Sequence, residues 1–409
     1  MDDLDPLDIM LHQEKVVPHY EPIISADTQL VVGYEVKPYF QMQEDDIRSL
    51  DWFFEDPSIP DEFQLELSSI IQHKALETFR KTDQSLYLFF NYDARLLARD
   101  NGETLMAQLE SYIDLGLDIS RIYLELKEEF IVNRIEELRP MFNYMKALGL
   151  KIAVDDVGQR SGNLEWMAQV RPHVVKVDAN FLKDNLMPHL YREVHQSLAS
   201  LSRKIGSTLL FKEISSFQQL NYAWRNGGQF YQGSYLKRAD SAYVDAECVQ
   251  ERMKEDFHHF VTFEKRKVKA QMELANLISS QFHTILSNVT ADVSYDETIL
   301  AVGKTCSRYA FRVYICNEEG IQLSSNAEKN QHGEWELYSE GRHKNWSWRP
   351  YFFENIIRMN VEKKGILSDL YTDIERDEQI RTYSYPLSNK LYIFLDVPYE
   401  YLYEQEGLL

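Results

Sequence analysis

Cysteine is scarce in this 409-residue chain: Cys248, Cys306 and Cys316 are the only three. None lies at C-x-x-C spacing, and three cannot build a disulfide framework or, alone, a zinc centre. They read as reduced thiols of an intracellular protein. Positive charge is also short. Lys and Arg number 44 against 65 Asp and Glu, for a net charge of -21 and an isoelectric point near 5.0. That excludes a nucleic-acid polymer as partner, because its phosphates need clustered Lys and Arg. It leaves room for a small phosphate ligand, since a local site or a metal can supply the charge. No stretch approaches the ~18 consecutive apolar residues of a spanning helix. The start, Met1-Asp2-Asp3-Leu4-Asp5, is acidic where a secretory leader is basic. A cytoplasmic chain without a membrane span is expected.

Glycine and proline are missing between Cys248 and Val289. There Val261, Val268, Ala275, Phe282 and Val289 recur every seven residues, joined later by Ile278 and Ile285. One helix is implied, roughly 60 Å long at ~1.5 Å per residue. It either packs along its own domain or connects domains and pairs with a second copy; a homodimer is the expectation.

What is present is a regular alternation. Apolar runs at 31–36, 86–90, 122–126, 151–154, 174–177 and 208–211 read as strands, with helices over 61–80, 129–148, 187–202 and 217–225 between them. Strands alternating with helices imply a parallel sheet, and at this length a (β/α)8 barrel. Residues 1–245 are assigned to that TIM-like α/β barrel, 246–292 to the connecting helix and 293–409 to an α+β, PAS-like domain with an antiparallel sheet.

Chemistry in a parallel barrel collects at the C-terminal strand ends. Here those ends carry Glu35, Asn91, Glu125, Asp155, Asp156, Lys176 and Asp178. Carboxylates this dense repel one another unless a cation lies among them, and oxygen ligands without His or Cys favour Mg²⁺, Mn²⁺ or Ca²⁺. Metal-assisted phosphodiester hydrolysis is the reaction such a set suggests. The plain alternative is a scatter of helix caps and loop carboxylates.

The motifs resemble those of the EAL family of cyclic-di-GMP phosphodiesterases. Gly33-Tyr34-Glu35-Val36 is similar to its signature strand, Phe90-Asn91-Tyr92 to its asparagine strand, and Leu124-Glu125-Leu126-Lys127-Glu128 to its second glutamate motif. Val154-Asp155-Asp156-Val157-Gly158, Val174-Val175-Lys176-Val177-Asp178 and Tyr231-Gln232-Gly233-Ser234-Tyr235-Leu236 resemble its aspartate pair, lysine motif and closing glutamine motif. The resemblance implies that Glu35, Asn91, Glu125 and Asp155 hold one metal ion and that Asp156 helps hold a second. It implies that Lys176 assists the attacking water beside Gln232, and that Glu128 anchors the loop after Asp156. The substrate would be cyclic-di-GMP, opened to pGpG.

The departures are as informative. The signature leucine is Lys37, its phosphate-contacting arginine is Tyr39, and Pro38 lies between them. The loop Gly158-Gln159-Arg160-Ser161-Gly162-Asn163-Leu164 loses the family pattern. Near 210, ungapped alignment sets Lys212 on a metal-binding glutamate, whereas a one-residue slip would bring Glu213 there. An ammonium ~4 Å from a divalent ion is repelled by several kcal/mol at an effective dielectric constant of roughly 20, so one ion is expected rather than two. Three functions follow: a degenerate, cation- and cyclic-di-GMP-binding regulator with weak or no hydrolysis; a working metal-dependent phosphodiesterase; or an interaction platform without nucleotide. The first is favoured. In the C-terminal domain, Trp348, Arg349 and Tyr351, with Tyr371 and Asp373, loosely resemble the Cache pattern, in which Arg and aromatics hold a carboxylate and Asp an amine. A small-molecule pocket is expected there; the alternative is aromatics completing a small core.

Overall fold

The computed structural model describes residues 4–43, 46–82, 85–159, 164–180, 188–288, 293–349, 352–388 and 390–404. The chain divides into two compact units, Met1–His258 and His259–Leu409. The boundary falls inside the long helix, Gln250–Asn288, rather than on either side of it.

The first unit is a closed barrel. Its strands are β1 (Val16–Ser25), β2 (Val31–Gln43), β3 (Asp46–Ser49), β4 (Tyr87–Asn91), β5 (Ile122–Lys127), β6 (Lys151–Asp155), β7 (Val174–Asp178), β8 (Thr208–Lys212) and β9 (Phe230–Tyr231). The order is β1-β9-β8-β7-β6-β5-β4-β2, closed by a β1–β2 pairing, with β3 as a flap on β2. The expected all-parallel barrel needs one correction: β1 runs antiparallel to both β2 and β9. Residues 26–30 are too few for the crossover that parallel neighbours require, so β1 and β2 form a hairpin. Pro18 and Pro22 mask β1 in the sequence, since proline argues against a strand interior. The helices Asp61–Arg80 and Phe217–Arg225 stand where expected, whereas the helix expected over 129–148 is two, Glu128–Val132 and Ile135–Ala147.

Ile23, Phe89, Tyr123, Ala153, Val174 and Leu210 close the barrel interior in one apolar layer. Side chains two residues apart on a strand share a face. The next inward position on five of those six strands is therefore Asn91, Glu125, Asp155, Lys176 and Lys212. On β2, Gly33 completes the layer, because a Cβ there would stand 2.6 Å from the Tyr87 carbonyl oxygen; Glu35 is two residues on.

The second unit has an antiparallel sheet of β10 (Arg312–Asn317), β11 (Asn326–Lys329), β12 (Trp335–Tyr338), β13 (Ile366–Leu367), β14 (Tyr371–Asp373), β15 (Glu378–Ser388) and β16 (Leu391–Pro398). The order is β12-β11-β10-β16-β15-β13, with β14 also on β15. One face, with Val313, Ile315, Ile393, Leu395 and Tyr383, packs on Leu274, Ile278 and Phe282 and on the helix Tyr295–Thr305. The seven-residue stripe is thus divided. Phe282 and Ile278 are core of the second unit, while Val261, Val268 and Met272 are exposed. The other face carries Tyr314, Phe394 and Tyr392 against the helix Phe352–Glu362, and beside them a cluster of charges.

Candidate functional site

At the top of the barrel five carboxylates meet three lysines. Lys176, fully buried on β7, donates to Glu35 Oε2 at 2.6 Å and to both Glu125 oxygens at 2.7 Å. Lys212 on β8 donates to Asp155 Oδ2 at 2.6 Å and pairs with Asp156 Oδ1 at 2.7 Å. Lys37 lies 2.5 Å from Glu35 Oε1 and 4.0 Å from Glu21 Oε2. Asn91 Nδ2 also donates to Glu35 Oε1, at 2.7 Å. Gln232 Nε2 donates to Glu35 Oε2 at 2.6 Å and to Glu21 Oε2 at 2.8 Å. Gly233 has to follow it: its φ is +143° and a Cβ would fall 2.3 Å from Ile214.

The register between Lys212 and Glu213 is resolved by backbone geometry. Lys212 is the last residue of β8 and points inward, while Glu213 is exposed at φ +58°. Asp156, just past β6, has φ +56°. That left-handed conformation is uncommon away from glycine, and here it accompanies the Asp156 carboxylate turned onto Lys212. Glu128 accepts from the Gly158 amide at 3.1 Å and from Trp166 Nε1 at 2.8 Å, tying the start of the loop after Asp156. Residues 160–163 of that loop lie outside the described residues. Asp178, beside Lys212 in the strand register, accepts from the Asn180 amide at 2.7 Å and from Gln159 Nε2 at 3.3 Å.

Burial works against every charge here, and the partners decide the outcome. Lys176 and Lys37 overcome it at Glu35 and hold that carboxyl well below the usual range. Burial and the neighbouring Glu35 push Glu125 up to about 8, against the Lys176 ammonium bonded to it and the more distant Lys37. Burial also raises Glu21. Lys37, Lys176 and Lys212 are desolvated too, but their carboxylates hold all three above the usual lysine range.

Two residues of this site escaped the sequence reading. The motif marks Lys37 only as a departure from the signature; its i+2 spacing from Glu35 is the signal that it shares the site. Glu21 had no signal, because it lies on β1, opposite Glu35 in an antiparallel register that proline concealed.

An oxygen-rich donor set of this kind suits a hard cation. Asp155 Oδ1 and Gln232 Oε1 are buried acceptors with no donor among the described residues. The Lys212 ammonium bridges Asp155 and Asp156. Among the described residues, no three His, Cys, Asp or Glu side chains converge as a ready metal cage.

The expected C-terminal pocket is altered. Trp348 is 62% exposed; Tyr351 lies outside the described residues. Arg349 instead stacks on Trp346, at 4.3 Å from the ring centroid, and on Tyr371, at 5.6 Å. Asp373 pairs with Arg312 at 2.9 Å rather than standing ready for an amine, although its Oδ2 is buried without a donor. Arg312 also holds Asp396 at 2.6 Å and Glu375 at 3.1 Å. Trp346 is two residues from Trp348, and nothing in the W-S-W pattern says which ring turns inward.

Residues 5–239 match the family model of the EAL domain, and residues 243–409 match that of the EAL-domain associated signalling protein domain. The chain is 41% identical over 408 residues to the EAL-domain containing protein YkuI of Bacillus subtilis, covering 99% of this chain and 100% of that one. The crystal structure of YkuI in complex with its substrate c-di-GMP and calcium superposes with a TM-score of 0.94 over the same shares. Cyclic di-GMP phosphodiesterase NbdA of Pseudomonas aeruginosa is 23% identical over 123 residues, 30% of this chain and 16% of that one. No helix among the described residues is long and apolar enough to cross a membrane.

Proposed function

The chain belongs to the EAL-domain signalling proteins, and from that premise we propose that it is a regulator that binds cyclic-di-GMP with one divalent cation and hydrolyses it weakly or not at all. The carrying observation is Lys212, whose ammonium lies 2.6 Å from Asp155 and 2.7 Å from Asp156. Glu35, Asn91, Glu125 and Asp155 would hold the ion, Mg²⁺, Mn²⁺ or Ca²⁺. When bound, the ion supplies charge neutralisation for a phosphodiester and polarisation of water. Lys176, charged and pinned between Glu35 and Glu125, is a poor proton acceptor. Lys212 blocks the second ion that would share activation of water. The bound nucleotide is therefore kept rather than consumed. The support from relatives is that YkuI, of the same length and family, is seen with c-di-GMP and calcium.

Calorimetry with Ca²⁺ or Mg²⁺ and cyclic-di-GMP, beside a hydrolysis assay, tests this. One ion per chain and little or no pGpG are expected, with Lys212→Glu raising the ion count to two. Rapid Mg²⁺-dependent conversion by the unaltered chain would sink the reading, as would two ions bound without the substitution.

A second proposal concerns Arg349, which would take a small carboxylate. Arg349 is partly buried, and among the described residues its side chain's hydrogen bond is to Tyr371 Oη at 3.4 Å, with Asp396 attracting it from a distance but no carboxylate in an ion pair with it. A planar guanidinium between two aromatic faces is suited to bidentate carboxylate capture. In a thermal-shift screen of free amino acids and dicarboxylates, at least one should raise the melting temperature of the full chain but not of Arg349→Ala. Equal responses from the two proteins, or none from either, would count against the site.

A further inference from the structure

Glu35 has no lone pair left for a cation. Oε1 accepts from Lys37 at 2.5 Å and from Asn91 at 2.7 Å; Oε2 accepts from Lys176 and Gln232, each at 2.6 Å. A carboxylate offers about four such positions. A divalent ion arriving at Glu35 must therefore displace a donor.

The four donors differ in how firmly they are held. Lys176 is fully buried and bound to both Glu125 oxygens as well. Gln232 is also held by Glu21. Asn91 can turn its amide and present Oδ1, which makes it a ligand instead of a competitor. Lys37 remains. Its side chain is 23% exposed and its other carboxylate, Glu21, is 4.0 Å away. It is also the donor whose charge a divalent ion repels and whose four-carbon stem lets it swing aside. Two residues along the same strand face, Tyr39 is stacked on His19 at 4.3 Å and brings no charge.

We infer that Lys37 is an exchangeable counter-ion: a divalent ion that takes Glu35 expels the Lys37 ammonium, which then pairs with the phosphodiester of the nucleotide. This rests on the cyclic-di-GMP reading above. The site gains a free positive charge only after the ion has bound, so ion and nucleotide each strengthen the other's binding, by the same factor. Lys37 is a binding and positioning residue in this scheme; it takes no proton.

The test is calorimetry on the full chain with Ca²⁺ alone, then with cyclic-di-GMP at saturating Ca²⁺, for the unaltered protein, Lys37→Met and Lys37→Arg. Lys37→Met should bind Ca²⁺ more tightly, having lost the competitor, and bind cyclic-di-GMP roughly 10- to 100-fold more weakly. Lys37→Arg should keep most of the nucleotide affinity. Unchanged or weaker Ca²⁺ binding by Lys37→Met, or unchanged nucleotide affinity, overturns the inference. If methionine prevents folding, Lys37→Gln carries the same comparison. Failure of the unaltered protein to bind cyclic-di-GMP would instead strike the functional reading, while the Ca²⁺ comparison still decides whether Lys37 is expelled.

Discussion

Lys176→Met should be among the most destabilising single changes in the barrel, by ~3–5 kcal/mol in the absence of divalent ions. The side chain is fully buried and serves Glu35 and Glu125 together. Methionine fills similar space but leaves those carboxylates with Lys37 alone, on the Glu35 side. The loss should deepen with pH. Glu125 already has a folded-state pKa raised to about 8 by burial and by Glu35. A raised pKa means the folded state binds the proton more tightly, so this group's contribution is intact below the ordinary carboxyl value and is lost as pH rises toward 8. Removing the ammonium raises that pKa further and strengthens the slope. Urea unfolding at acid and neutral pH, with and without Ca²⁺, checks both parts. Millimolar Ca²⁺ should restore part of the stability, since the ion replaces the missing charge. A variant as stable as the parent at neutral pH without Ca²⁺ would show that the carboxylates do not depend on Lys176.

Arg312→Met should act as strongly in the other unit, again by ~3–5 kcal/mol. Arg312 joins β10 to Asp396 on β16 and Asp373 on β14, both nearly inaccessible to water. Thr382 Oγ1 donates to the other Asp396 oxygen at 2.6 Å, and no second cation reaches that carboxylate directly among the described residues. Without the guanidinium, two buried charges stand uncompensated. The expected signature in hydrogen exchange is early exposure of β10, β14 and β16 while the barrel strands stay protected. Adding Asp396→Asn and Asp373→Asn should recover most of the loss, because removing both signs of charge costs less than removing one. Barrel and sheet exchanging together in the single variant would refute this localisation.

How much of this could be read in advance depends on what each residue answers to. The barrel strands that are buried on both faces are continuous apolar runs, and β4 to β8 fall within a residue or so of those runs. The polar residues near their C-terminal ends announced the site, since a strand end is where an apolar run stops. β1 was hidden because its two prolines are tolerated by a pairing the sequence does not display. With it went Glu21, whose neighbours, Glu35 on β2 and Gln232 just past β9, are set by closure of the barrel. Lys37 was visible as a departure from a motif, but its role depends on the distance to Glu35, which only the folded strand supplies. The helical stripe left two readings open for a related reason: a seven-residue apolar repeat looks alike whether a second helix or the chain's own sheet covers it. Phe282 and Ile278 found the sheet.

The reversed first strand also bears on the order in which the barrel is made. β9 is two residues long, and it joins β1 through Ile24–Tyr231 and Ser25–Phe230 alone, with a single further bridge from Tyr20 to Asp240. Those pairings span nearly the whole barrel sequence, whereas β4 to β8 each pair with a strand close along the chain. Contacts that close long loops form late and are given up early. The β1–β9 seam is then the last part of the wall to zip and the first to breathe. Glu21 and Gln232 stand on its two sides, so the hydrogen bond between them fastens the carboxylate cluster and also shuts the barrel.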